Sequence, residues 1–254
     1  MILLSESSGS PRGDVPSVYK YQPGNEVVKE VMDCYSAEWK IASPHGIPAR
    51  TGKIIGIYGT VSADEQLLFS LAYGQILAEK ERVLFVDLQP RSGFACFADG
   101  SARGDLGDLL FLYRGGQSDL SLRLPGMTGR IGDLEYVPPS ASAEDIGEVS
   151  GDEWMGFVTA LAASSSCGAL IMSLGDAVRG LPGVMGSCSA RILISGRDPL
   201  SAKRRILFED ELGRDAGVNT TVVTPPEAPE YSGGRGYLET LKESALGEYI
   251  RKRL

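Results

Sequence analysis

Histidine is almost missing from this chain of 254 residues: there is one, His45. It stands in Ser43-Pro44-His45-Gly46, a turn, where it reads as a structural residue. Chemistry built on imidazole is correspondingly limited. Cysteine is scarce as well. Cys34, Cys96, Cys167 and Cys188 include no C-x-x-C pair, so a zinc site would have to gather its ligands from all over the chain. A reduced, cytoplasmic protein is the simpler reading. No apolar run approaches the ~18 residues of a membrane span. Met1 to Leu4 is too short for a signal-peptide core. Basic charge is in deficit: 25 Lys and Arg face 33 Asp and Glu, for a net charge of −8. A general nucleic-acid or anionic-membrane binder needs a basic face, so neither partner is expected.

Hydrophobic residues make up 43% and charged residues 23%, enough to bury a sizeable core. The length suits one large domain, or one domain plus a fragment. The 32 glycines and 14 prolines imply many turns. Two of those prolines and a glycine fall within Ala42-Ser43-Pro44-His45-Gly46-Ile47-Pro48, which reads as a linker. In front of it, Ile2-Leu3-Leu4 and Val18-Tyr19-Lys20-Tyr21 are short strand candidates. A helix capped by Asn25 follows over residues 26–39.

Behind the linker, strands and helices alternate. Lys53 to Gly59 is a continuous apolar run, as expected of a parallel strand buried on both faces. A helix over 63–80 carries Leu67, Leu68, Leu71, Ala72, Ile76 and Leu77 at helical spacing. Arg82 to Asp87 is the next strand. The unit is βαβ, the signature of a parallel sheet. Further strands are expected at 134–137, 169–173, 191–195 and 219–223. Helices are expected at 105–113, 152–163, 200–212 and 236–253, with a turn or short helix at 181–186. The whole reads as an α/β fold with a doubly wound, mostly parallel sheet. Ligands of such sheets sit beyond the carboxyl ends of the strands, so the loops at 59–64, 87–93 and 173–180 should face one another.

The loop after the first main strand would carry G-x-x-x-x-G-K-[ST] if it held phosphates. Here it reads Gly59-Thr60-Val61-Ser62-Ala63-Asp64-Glu65-Gln66. Position and one glycine are right, but two acids replace a lysine. Two unit charges 4 Å apart interact by about 4 kcal/mol at an effective dielectric of 20, so attraction has become repulsion. Asp64 and Glu65 make sense as capping and first-turn residues. The other reading is a carboxylate that holds a metal or a basic partner group.

Residues 53–90 resemble the deviant Walker-A ATPases of the MinD/ParA type, a P-loop NTPase-like fold. The register runs from the strand and loop through the helix to Val83-Leu84-Phe85-Val86-Asp87-Leu88-Gln89-Pro90. Four stretches narrow the resemblance to the TadZ/CpaE branch, which helps place type IV pili and tight-adherence secretion machinery in bacteria. They are Tyr19-Lys20-Tyr21-Gln22, Tyr136-Val137-Pro138-Pro139 followed by Asp145, Gly151-Asp152-Glu153-Trp154, and Leu246-Gly247-Glu248-Tyr249-Ile250-Arg251. The resemblance puts the family's signature lysine on Gly59, its phosphate-binding lysine on Asp64 and its metal-binding Thr/Ser on Glu65. The strand-end aspartate is Asp87, an acid two residues later has become Gln89, and the Walker-B acid falls on Ser173, with Asp176 three residues on.

Lysine, hydroxyl and Walker-B acid are thus missing from the phosphoryl-transfer apparatus. The resemblance therefore implies a pseudo-ATPase acting through protein contacts: a homodimer, pilus or secretion assembly proteins as partners, and no cofactor. The alternative is a nucleotide-binding switch or weak ATPase using ATP/ADP and Mg²⁺. Asp87 is the only catalytic or metal-binding candidate, set against a plain strand-end acid bonded to loop N–H groups. A ParA-like DNA partitioning role is disfavoured by the net charge.

Residues 1–40 resemble the last part of a response-regulator receiver domain, with Lys20 on the receiver lysine. The strand that would carry the phosphoryl-accepting aspartate is absent. Either this segment docks on the main domain or the true N-terminus lies upstream. The expected division is 1–40 receiver-like segment, 41–51 linker and 52–254 ATPase-fold domain. The terminal helix ends Arg251-Lys252-Arg253. It reads either as a helix packed on the sheet or as a weak peripheral membrane contact.

Overall fold

The computed structural model describes residues 3–5, 17–22, 27, 52–98, 100, 102–140, 142–213, 219–231 and 236–254. The expected helix at 26–39, the linker with His45, and Cys34 lie outside the described residues, apart from Val27. The chain divides into two compact units, Met1–Pro48 and Ala49–Leu254.

In the first unit, β1 (Leu3–Ser5) and β2 (Ser17–Tyr19) pair in parallel, with Leu4 opposite Val18. The Lys20 N–H extends the ladder to the Ser5 carbonyl at 2.9 Å. The Lys20 ammonium lies 4.8 Å from the Tyr21 ring centre, at cation–π distance.

The second unit is a seven-stranded sheet: β3 (Lys53–Gly59), β4 (Val83–Leu88), β5 (Gly129–Ile131), β6 (Leu134–Val137), β7 (Ala169–Leu174), β8 (Ala190–Ile194) and β9 (Thr220–Val223). Their order is β5-β6-β4-β7-β3-β8-β9. All pairs are parallel except the β5–β6 hairpin at one edge. The central strands read as unbroken apolar runs because both faces are covered. All six residues of β4 are buried.

Successive β4 side chains divide between two cores. Leu84, Val86 and Leu88 meet one face, where α2 (Leu106–Gly115), α3 (Gln117–Met127), α5 (Gly151–Ser165), α6 (Leu181–Ser187) and α7 (Pro199–Leu212) pack; α4 (Ala143–Glu148) adds Ile146. Trp154, Phe157 and Leu161 anchor that side. Val83 and Phe85 meet the other face, built from α1 (Ala63–Ala78), α8 (Tyr237–Glu243) and α9 (Ala245–Arg253). Each fully buried side chain of this size contributes about 1.5–3 kcal/mol.

Four short elements escaped the sequence reading: α3, α4, β5 and a 3₁₀ turn at Phe94–Cys96. In α3 the reason is visible, since Pro125 and Gly126 read as loop yet lie in its last turn. The single helix expected at 236–253 is two. Ser244, extended at φ −73° and ψ 173°, ends α8 and caps α9 by accepting from the Leu246 and Gly247 N–H groups. A Cβ at Gly247 would lie 1.9 Å from the Lys242 carbonyl oxygen. Gly247→Ala should therefore push the two helices apart and destabilise by about 1–3 kcal/mol, the usual cost of overpacking, read from the urea midpoint.

The apolar face of α8 and α9 is used inside the fold. Leu238, Leu241, Leu246 and Ile250 are all buried in the second core, which leaves the packed-helix reading of this segment. Arg251 donates to the Lys242 carbonyl and to Glu79. Among the described residues no helix is long and apolar enough to cross a membrane.

Candidate functional site

Every residue of the degenerate loop sits at the carboxyl end of β3, where α1 begins. Ser62 is the N-cap of α1, and its hydroxyl accepts from the Glu65 N–H at 3.2 Å. Glu65 returns the bond: its carboxylate accepts from the Ser62 N–H at 2.9 Å and the Ser62 hydroxyl at 3.0 Å. This is a capping box. Its consequence is specific to this position. A loop N–H that a phosphate would use in a P-loop is held by the protein's own carboxylate.

Thr60 is clamped from another side. Its N–H donates to the Ile194 carbonyl, and its hydroxyl donates to the Ser201 carbonyl, both at 2.9 Å. Its carbonyl accepts from the Ser201 hydroxyl and from Arg204. Gly59 leaves no room for a longer residue: a Cβ would lie 2.9 Å from Val61 Cγ2 and 3.0 Å from Gln66 Oε1. Val61 packs on the second core, while Ala63 and Asp64 are exposed.

Gln66 turns inward. Its amide donates to the Leu174 carbonyl at 2.8 Å and the Ser173 hydroxyl at 3.1 Å. Gln89 donates to the same hydroxyl at 2.8 Å. Three side chains, from the first turn of α1, from β7 and from the turn after β4, thus form one neutral, buried cluster. Sheet order brings them together, because β7 lies between β3 and β4.

Asp87 belongs to this cluster as the cross-strand partner of Ser173. It has no exposed surface. Its Oδ1 accepts from the Gln89 N–H at 3.2 Å, and no donor reaches Oδ2 with hydrogen-bond geometry. Burial pushes the carboxyl up to about 6, against the pull of the nearby Ser92 hydroxyl and the Gln89 N–H. No group of three or more His, Cys, Asp or Glu stands close enough to hold a metal ion among the described residues. Asp176 does not join Asp87. It accepts from the Tyr58 hydroxyl at 2.7 Å, and burial together with this carboxylate raises the Tyr58 pKa.

Beside the loop lies a cavity of about 540 Å³. Its walls come from Thr60 to Ser62 and Glu65, from Ser195 to Asp198 with Ser201 and Arg204, and from Thr224 to Ala228. The segments after β8 and β9 were missed as site elements in the sequence. They could have been found, since they too follow the carboxyl ends of parallel strands. The loops expected at 87–93 and 173–180 contribute Gln89 and Ser173 to the buried cluster but do not line this cavity.

No protein-family model matches the sequence, and no curated protein matches it. Solved structures do. A ParA family ATPase from Chlorobium tepidum TLS superposes with a TM-score of 0.62 at 14% identity, covering 79% of this chain and 97% of that one. A chain of the MinC:MinD cell division protein complex of Aquifex aeolicus gives 0.53 at 13% identity, covering 79% and 77%. A plasmid partition protein from Borrelia burgdorferi bound to AMPPNP gives 0.51 at 13% identity, covering 76% and 81%. The fold is that of the ParA/MinD P-loop NTPases.

Proposed function

We propose that this chain is a ParA/MinD-fold protein that has exchanged nucleotide chemistry for protein contacts. It acts as a localisation and assembly factor similar to the TadZ/CpaE branch of type IV (tight-adherence) pilus systems. In this reading residues 52–254 are the ATPase-fold domain, joined through a linker at 41–51 to a receiver-like remnant at 1–40. The protein works in the cytoplasm as a homodimer, and pilus or secretion assembly proteins recruit it to the membrane or cell pole. The MinC:MinD complex is a precedent for a protein of this fold bound to a protein partner.

One observation carries the proposal. The Glu65 carboxylate is bonded to the loop N–H at Ser62, with Asp64 exposed beside it. These residues do not fit a nucleotide's phosphates: they add charge of the same sign and occupy a donor that phosphate would need. The neutral cluster of Gln66, Gln89 and Ser173 likewise offers no second carboxylate to Mg²⁺.

The second reading is a nucleotide-binding switch, favoured by the cavity of about 540 Å³ that the loop borders. Calorimetric titration with ATP and ADP, with and without Mg²⁺, separates the two. The assembly reading expects no heat and no thermal shift at millimolar nucleotide. Micromolar binding overturns it.

A further inference from the structure

We infer that a second groove, between the first turn of α1, the turn at 92–97 and the segment 227–231, docks a partner protein's peptide that presents arginine or lysine beside an apolar side chain. The inference rests on the protein-contact reading above and names the chemistry of the contact.

The groove encloses about 460 Å³, room for one or two side chains. Leu68, Phe97, Pro229 and Tyr231 give it apolar walls, and Tyr231 stays 40% exposed. The rings of Phe97 and Tyr231 meet edge to face at 5.2 Å. The walls are held in place: the Tyr231 hydroxyl donates to the Cys96 carbonyl at 3.3 Å, and the Tyr237 hydroxyl donates to the Pro229 carbonyl at 2.6 Å. Around this apolar surface stand Asp64, Glu65, Glu227 and Glu230, and among the described residues no lysine or arginine lines the groove.

Each half of this description excludes ligands. The acids repel phosphates, nucleic acid and anionic lipid. They do not form a metal site, because no group of three or more metal-ligating residues converges among the described residues. A small hydrophilic cation would leave the aromatic walls unused. An arginine or lysine satisfies both halves: its charge meets the carboxylates and its stem or guanidinium lies on an aromatic face. An adjacent apolar residue then covers the remaining wall. Charge complementarity thus selects a basic, apolar peptide segment.

Cys96 lines the groove and is exposed, so it reports occupancy. The experiment measures the alkylation rate of Cys96 in the full chain by peptide mapping. The probe is a blocked eight-residue peptide alternating arginine and leucine. The control replaces arginine with glutamate. The expected result is at least fivefold protection by the first peptide and none by the second. Glu227→Lys combined with Glu230→Lys should weaken the peptide's half-protection concentration at least tenfold. So should Tyr231→Ala, and Phe97→Leu, which keeps apolar volume if Tyr231→Ala folds poorly, should weaken it severalfold.

Absence of protection overturns the inference. So does equal protection by spermidine, or protection that neither aromatic variant changes. Because Cys96 reads the groove directly, lost protection overturns this assignment even where the ATP titration upholds the assembly reading. ATP binding overturns that reading even where protection stands.

Discussion

Ser173→Asp is expected to cost about 3 kcal/mol or more at neutral pH. Ser173 has no exposed surface and stands directly opposite Asp87 on the neighbouring parallel strand. A second carboxylate would therefore lie beside a buried one that already resists ionisation. The Gln66 and Gln89 amides now donate to the serine hydroxyl and would turn to the new acid, but two neutral amides do not balance two buried negative charges. Urea unfolding at pH 7.5 and pH 5 reads the effect. The loss should shrink at the lower pH, where one proton can be shared between the pair. The same titration with millimolar Mg²⁺ bears on function. If Mg²⁺ restores the lost stability, a single residue has rebuilt a metal site and the protein-contact reading is in trouble. If Mg²⁺ does nothing, the loop and its surroundings lack the rest of that site.

This result turns on residues whose meaning was only half legible in the sequence. The fold was legible because the strands advertise themselves. Val83 to Leu88 and Ala169 to Leu174 are buried along their whole length and apolar except at Asp87 and Ser173, a pattern that a sheet covered on both sides makes stable. The position of the loop at 59–66 followed from the same runs. Its substitutions could be read one at a time, as lysine to Asp64 or acid to Ser173. Their joint product could not. Gln66 and Ser173 are 107 residues apart, and Gln89 and Ser173 are 84 apart. They meet because β7 threads between β3 and β4, and strand order is not written in local periodicity.

The helix break at Ser244 was hidden for a related reason. Gly247 permits a close backbone contact with Lys242, while hydrophobic spacing continues across the break at Leu241 and Leu246. The second groove was invisible in the sequence because its acids come from two segments more than 160 residues apart. Glu227 and Glu230 follow the edge strand β9, and only its tertiary position brings them opposite Asp64.

Asp87→Asn should stabilise the protein at pH 8 by about 2 kcal/mol and change little at pH 4. The carboxyl is fully buried, and burial raises it from 3.8 to about 6. A carboxyl raised on folding binds its proton more tightly in the native state. Its favourable contribution is complete below the unfolded value and is lost as pH climbs through about 6. A rise of this size corresponds to roughly 3 kcal/mol between the two limits, an order-of-magnitude figure.

Asparagine carries no charge and so does not pay this cost at any pH. It keeps an oxygen for the Gln89 N–H and puts an amide where Oδ2 now has no donor, beside the Ser92 hydroxyl. The difference between variant and parent should therefore grow with pH and level off above about 7. Chemical denaturation across that range measures it. A constant difference would mean that the carboxylate is better solvated than its burial implies. If the expected curve is found, Asp87 destabilises the domain at the pH where the protein works. Its presence at the strand end is then not explained by stability, and a comparison of Asp87→Asn with the parent in the proposed protein contacts becomes the measure of what the acid does.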